Sequence, residues 1–114
     1  MANVDTNRNL VAALSYFLGF ITGMVILFVE KDDKFVRFHA MQSTVIFGAL
    51  FVVNIIIGMI FSPLGIFEVI GRFVETVLFI IAIVIWAVSM VKAYNGQVFK
   101  WPIAGKFAEK QVGR

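Results

Sequence analysis

Residues 10–29 read LVAALSYFLGFITGMVILFV, twenty residues without a charge. As an α-helix at 1.5 Å per residue, such a run reaches about 30 Å, the thickness of a hydrocarbon core. A secretory signal has a shorter apolar stretch, roughly 7–15 residues, and a small-residue cleavage site. This run ends in Leu27-Phe28-Val29-Glu30 with no such site. It predicts a retained first membrane span.

The composition agrees. The chain has 114 residues, 61% of them hydrophobic and 15% charged, and its mean hydropathy is +0.93. Soluble domains have about 45–50% apolar and about 25% charged residues. So short a chain has too little interior to hide that much apolar surface. A soluble globular enzyme and a disordered chain are both excluded. The net charge is +3. Its basic residues lie between apolar runs, which points to anionic lipid headgroups and not to nucleic acid. With no cysteine and one histidine, a thiolate or multi-histidine metal site is ruled out, and no metal or cofactor is expected.

A charged hinge, Glu30-Lys31-Asp32-Asp33-Lys34, follows the first run. Asp32 or Asp33 is placed to cap the next helix. A second span is predicted over about 41–61, ended by Ser62-Pro63-Leu64-Gly65. Glu68, Arg72 and Glu75 then share one helical face. This predicts a short amphipathic helix over about 64–72 in the interface, or a re-entrant Pro63–Glu75 segment. Either feeds a third span over about 73–91. Arg72 is spaced to pair with both Glu68 and Glu75. Lys92 and Tyr94 anchor the exit. The tail, 92–114, holds Phe99, Trp101 and Phe107 among lysines and is expected on the headgroups. The predicted fold is all-α: a single membrane domain with three transmembrane helices and one interfacial helix.

Three spans place the amino terminus and the second loop on one side, with Arg8 and Arg72. The other side holds Lys31, Lys34, Arg37, Lys92, Lys100, Lys106, Lys110 and Arg114. Basic residues favour the cytoplasm. The expectation is a multi-pass protein of the cell membrane with its amino terminus outside and its tail cytoplasmic.

Close helix packing in lipid needs small residues. Ser15, Gly19 and Gly23 lie at spacings of four, and so do Asn54, Gly58 and Ser62. These stripes either join helices of one chain or form an interface with a second copy or another membrane protein. Asn54, deep in the second span, needs a polar partner and is best read as an adhesive between helices. Arg37, His39, Gln42 and Ser43 form the densest polar cluster. They are candidates for contact with a headgroup or partner, or for an interfacial cap. No catalytic constellation is present: GxSxG, HExxH, P-loop and GxGxxG are all missing.

Three stretches carry a resemblance. Leu14-Ser15-Tyr16-Phe17-Leu18-Gly19 is the first. Glu30-Lys31-Asp32 leading to Phe35-Val36-Arg37-Phe38-His39-Ala40-Met41-Gln42-Ser43 is the second. The third is Ala93-Tyr94-Asn95-Gly96 with Trp101-Pro102-Ile103-Ala104-Gly105-Lys106-Phe107-Ala108-Glu109-Lys110. Together they resemble the small, mostly uncharacterised prokaryotic membrane proteins grouped with a component of the chloroplast inner-envelope import (Tic) translocon. The resemblance covers nearly the whole chain. It implies that Arg37, His39, Gln42 and Ser43 matter beyond capping, and that a translocation role is the alternative to a non-enzymatic subunit. The expected function is that of a non-enzymatic subunit or interaction partner in a membrane complex, probed at the Gly19/Gly23 face or the tail.

Overall fold

The computed structural model describes residues 6–61 and 66–112. Its elements are α1 (Thr6–Leu14), α2 (Phe20–Val29), α3 (Lys34–Phe61), α4 (Ile66–Tyr94) and α5 (Ala104–Val112). The described residues are helical or irregular, without strands. Two helices are long and apolar enough to cross a membrane, Lys34–Phe61 and Glu68–Tyr94. The molecule is a rod of 53 × 21 × 21 Å built on that pair.

The expected first span is corrected. Residues 10–29 are broken into two short helices. After Leu14 the backbone tightens: Tyr16 N–H donates to Ala13 O, Phe17 N–H to Leu14 O and Gly19 N–H to Tyr16 O. These are three-residue steps, the usual way a helix ends. Gly19 then takes φ 64 and ψ −133, a combination open to glycine alone. The Thr22 hydroxyl accepts from Leu18 N–H and donates to Ser15 O, so it satisfies two backbone groups within the break.

The elbow reverses the chain. Arg8, at the start of α1, pairs with Asp33 at 2.9 Å and lies over the Phe35 ring. At the other end of the hairpin, Arg37 donates to Leu27 O and Glu30 O. Both ends therefore meet the start of α3. The elbow reaches the level of Phe47 and Phe51, where Gly19 and Phe20 lie. That is about 20–25 Å along α3 from Lys34. Residues 10–29 form a helical hairpin whose two ends both lie at one end of the rod. The hinge, the start of α1 and the tail all share that end, here called the hinge end. The start of α1 therefore lies at the same end of the rod as the tail, where three full spans would have put the two at opposite ends.

Asp33 caps α3: its Oδ1 accepts from Phe35 and Val36 N–H. Glu30 Oε2 accepts from Asp32 and Asp33 N–H and so shapes the hinge. The second expected span, about 41–61, is the apolar part of α3, which begins earlier, at Lys34. The interfacial helix expected over about 64–72 is also corrected. From Ile66 the chain runs as one helix to Tyr94, with no break at Arg72; residues 62–65 lie outside the described residues. Glycine at Gly96 (φ 79) ends α4, with Gln97 N–H returning to Lys92 O and Gly96 N–H to Ala93 O.

The tail does not simply rest on the surface. Residues 97–101 run back between α3 and α4, and α5 buries Ala104, Ala108 and Val112, with Ala108 and Val112 packed against Phe38. Its other face exposes Lys106, Phe107 and Lys110. The turn into α5 holds Ile103 at φ 67, a left-handed conformation rare for a β-branched residue.

Candidate functional site

The core of the hinge end combines an apolar part with a polar one. Ala12, Ala13, Tyr16, Phe35, Val36 and Ala93 pack together, joined by Phe47, Trp86 and Met90. Within this core Tyr16, His39 and Gln42 are each 0% exposed. Polar groups buried this deeply require partners, and each has them.

Tyr16 Oη lies 2.7 Å from His39 Nδ1. His39 Nε2 lies 2.8 Å from Gln97 O. A carbonyl only accepts, so Nε2 carries the hydrogen and Nδ1 offers its lone pair. Tyr16 therefore donates to Nδ1. It also accepts from Gln42 Nε2 at 2.8 Å. Gln42 Nε2 gives its second hydrogen to Phe99 O at 2.9 Å, and Gln42 Oε1 accepts from Trp101 N–H at 2.9 Å. A ring protonated on both nitrogens would leave the Tyr16 hydrogen without this acceptor. The neutral Nε2–H form satisfies every member.

The remaining residues of the predicted cluster follow the same pattern. Ser43 Oγ donates to Gly19 O at 2.9 Å and so fastens the elbow to α3. Arg37 places its guanidinium on the carbonyl end of α2, where a cation suits the helix dipole. Thus Arg37, His39, Gln42 and Ser43 are brought together on α3: Arg37 holds the end of α2, His39 and Gln42 both hold Tyr16 and the tail, and Ser43 holds Gly19. They join the elbow, α2 and the tail to one helix. Sequence reasoning missed Tyr16, Ser89 and Trp101 as parts of this site. Trp101 Nε1 donates to Ser89 Oγ at 2.8 Å, and Trp86 Nε1 donates to Phe17 O at 3.1 Å. The available signal was a hydroxyl in the middle of an apolar run, since a buried tyrosine needs a partner for its O–H.

Of the small-residue stripe, Ser15 is buried and donates to Ala12 O. Gly23 faces α3 so closely that a Cβ there would lie 2.8 Å from Ala40 O and 2.7 Å from Thr44 Oγ1. Asn54 and Gly58 lie elsewhere. They line a cleft of ≈ 430 Å³ between the far ends of α3 and α4, with Phe61, Glu68, Gly71, Arg72 and Glu75. Arg72 pairs with Glu68 at 3.2 Å. Glu75 turns toward α3, its carboxylate 3.0 Å from where a Gly58 Cβ would stand. The expected Arg72–Glu75 pair is not formed. Among the described residues neither Asn54 nor Glu75 makes a hydrogen bond or an ion pair. No group of three or more His, Asp or Glu among the described residues converges as metal ligands would.

The pattern that defines the magnetosome magnetite crystal formation proteins, MamF/MmsF, matches residues 6–108. A UPF0132 membrane protein of Archaeoglobus fulgidus is 40% identical over 93% of this chain and 96% of its own length. Two UPF0132 membrane proteins of Methanocaldococcus jannaschii are 39% and 38% identical, over 91% and 95% of this chain and 69% and 91% of theirs. No solved structure matches.

Proposed function

The chain belongs to the MamF/MmsF family of small prokaryotic membrane proteins, and we propose that it is a non-enzymatic subunit that associates with copies of itself through the far ends of α3 and α4. The observation that carries this reading is the state of Asn54. It lies about 10 Å in from the far end of α3, without a partner among the described residues. An amide in hydrocarbon gains from a partner, and a second amide is self-complementary. Glu75 and the Arg72–Glu68 pair beside it extend the same polar strip. In the hinge end, by contrast, the polar side chains of the central cluster are matched within the chain. The Gly19/Gly23 face is occupied by α3 at Gly23, which moves the favoured contact to the cleft.

The hinge end carries Arg8, Lys31, Lys34, Arg37, Lys92, Lys100, Lys106 and Lys110, against Arg72 alone at the far end among the described residues. This bias supports a cytoplasmic hinge end in contact with anionic headgroups. The family's description ties it to magnetite crystal formation.

Crosslinking in native membranes tests the proposal. The wild type should give dimers or small oligomers, and Asn54→Leu should abolish them. A wild type that crosslinks to nothing overturns it. The polar cleft also favours a second reading, an oligomeric channel, in keeping with the import-component resemblance. Ion or peptide flux in proteoliposomes that falls with Asn54→Leu would support that reading over the first.

A further inference from the structure

We propose that the chain is a membrane wedge, which concentrates where the bilayer is convex on the leaflet holding the hinge end. The inference rests on shape and stands whether or not copies associate. α1, α2, residues 97–101 and α5 all pack against the hinge-end half of α3 and α4. The elbow reaches the level of Phe51. Beyond it α3 and α4 continue alone for about 15 Å to Phe61. Burial follows the same division. Among the described residues of 47–61 and 68–88 only Gly71, which lies against Phe61, is buried, whereas the core of the hinge end is closed. A helix with its side chains is about 10 Å across, so four helices and a tail in one leaflet occupy at least double the area of two helices in the other.

The asymmetry is also fixed. Ser43 holds Gly19, Trp86 holds Phe17 and Gln42 holds the tail. The wide half therefore cannot thin itself by letting the hairpin drift away. A leaflet that hosts extra cross-section gains area over its partner, and the bilayer relieves the difference by curving toward the narrow side, so that the wide side becomes convex. Insertion confined to one leaflet is sensitive to curvature for this reason. α5 adds a basic, partly apolar surface at the same end, with Lys106, Lys110 and Phe107 exposed.

The test is sorting into membrane tubes pulled from giant vesicles of phosphatidylcholine and phosphatidylglycerol. The chain is labelled at a single cysteine replacing Asn7, and orientation is read by quenching from outside. With the hinge end outward, density per unit area should be several-fold higher in the tube than in the parent vesicle, and rise as the tube narrows. With the hinge end inward, the tube should be depleted. Equal density at every tube width, or enrichment in both orientations, overturns the wedge. Asn54→Leu lies outside the wide half and should sort as the wild type does. If it loses sorting, association of copies and not shape is the cause, and the proposal fails even though the subunit reading stands.

Discussion

The two ends of this molecule solve the problem of polar groups in lipid in opposite ways. At the hinge end, an irregular elbow and the side chains of Tyr16, His39, Gln42 and Ser43 are buried, and each of the four is bonded to another segment of the same chain. At the far end, two regular helices satisfy their own backbones and leave Asn54 and Glu75 without partners among the described residues. The difference teaches that non-helical backbone at membrane depth is tolerated where other protein covers it. The elbow at Ser15–Gly19 is permitted because α3, Trp86 and Thr22 lie on it. A chain that carried only α3 and α4 could not afford such a break.

The sharpest way to break this comparison is sidedness, because its outcome is all or none. The chain has no cysteine, so single-cysteine variants report cleanly. Cysteines replacing Asn7 and Lys106 should react with an impermeant thiol reagent from the same side, and one replacing Glu68 from the other. Labelling of Asn7 and Lys106 positions from opposite sides would restore three full spans and remove the hairpin.

Next in size is Gln42→Leu. It strands Phe99 O, Trp101 N–H and one acceptor site of Tyr16, and each buried group left unsatisfied costs about 1–3 kcal/mol. The tail should detach, seen as rapid proteolysis within 97–103 while α3 and α4 stay inserted. A tail that remains protected would show that α5 packing alone holds it.

Gly23→Ala comes third. The new methyl meets backbone oxygen on α3, and overpacking of this kind costs about 1–3 kcal/mol. The expected result is a lower thermal midpoint in detergent, with α2 more open to hydrogen exchange than α4. Equal exchange would mean that α2 is not held by close approach.

The smallest effect belongs to the far end. Asn54→Leu should change the stability of the isolated chain in dilute detergent by about 0.5 kcal/mol or less, as befits a side chain without internal partners. A large loss would mean that Asn54 has a partner within the chain, and the contrast between the ends would disappear.

Much of this was legible in the sequence, though its meaning was not. The hinge, a cap at Asp32 or Asp33, the apolar body of α3 and the polar cluster from Arg37 to Ser43 follow from residue type and spacing; a role for that cluster beyond capping was implied only by the family resemblance. The elbow does not follow from the charge pattern, because a break that satisfies its own polar groups needs no charge or proline. Ser15, Gly19 and Thr22 are as suitable for a close helix crossing as for a reversal. Only the position of Asp33 beside Arg8 decides between them. The continuity of α4 through Arg72 is similar: Glu68 and Glu75 fit an interfacial helix or the protruding end of a long one equally well. The partners of Tyr16 were out of reach, since residues 39, 42 and 97–101 approach it only through tertiary folding.

The central hydrogen-bond network also sets an order on biogenesis. Tyr16 leaves the ribosome early, yet its hydroxyl waits for His39 and Gln42, and those in turn wait for the carbonyl and amide groups of Gln97, Phe99 and Trp101. The hairpin segment is thus made before residues 97–101, on which its final place depends. During synthesis it must either lie across the bilayer and retreat, or stay at the surface until α3 arrives. The finished hairpin is closed by residues 97–101, so cutting the chain before Gln97 should be felt first at Tyr16 and the elbow.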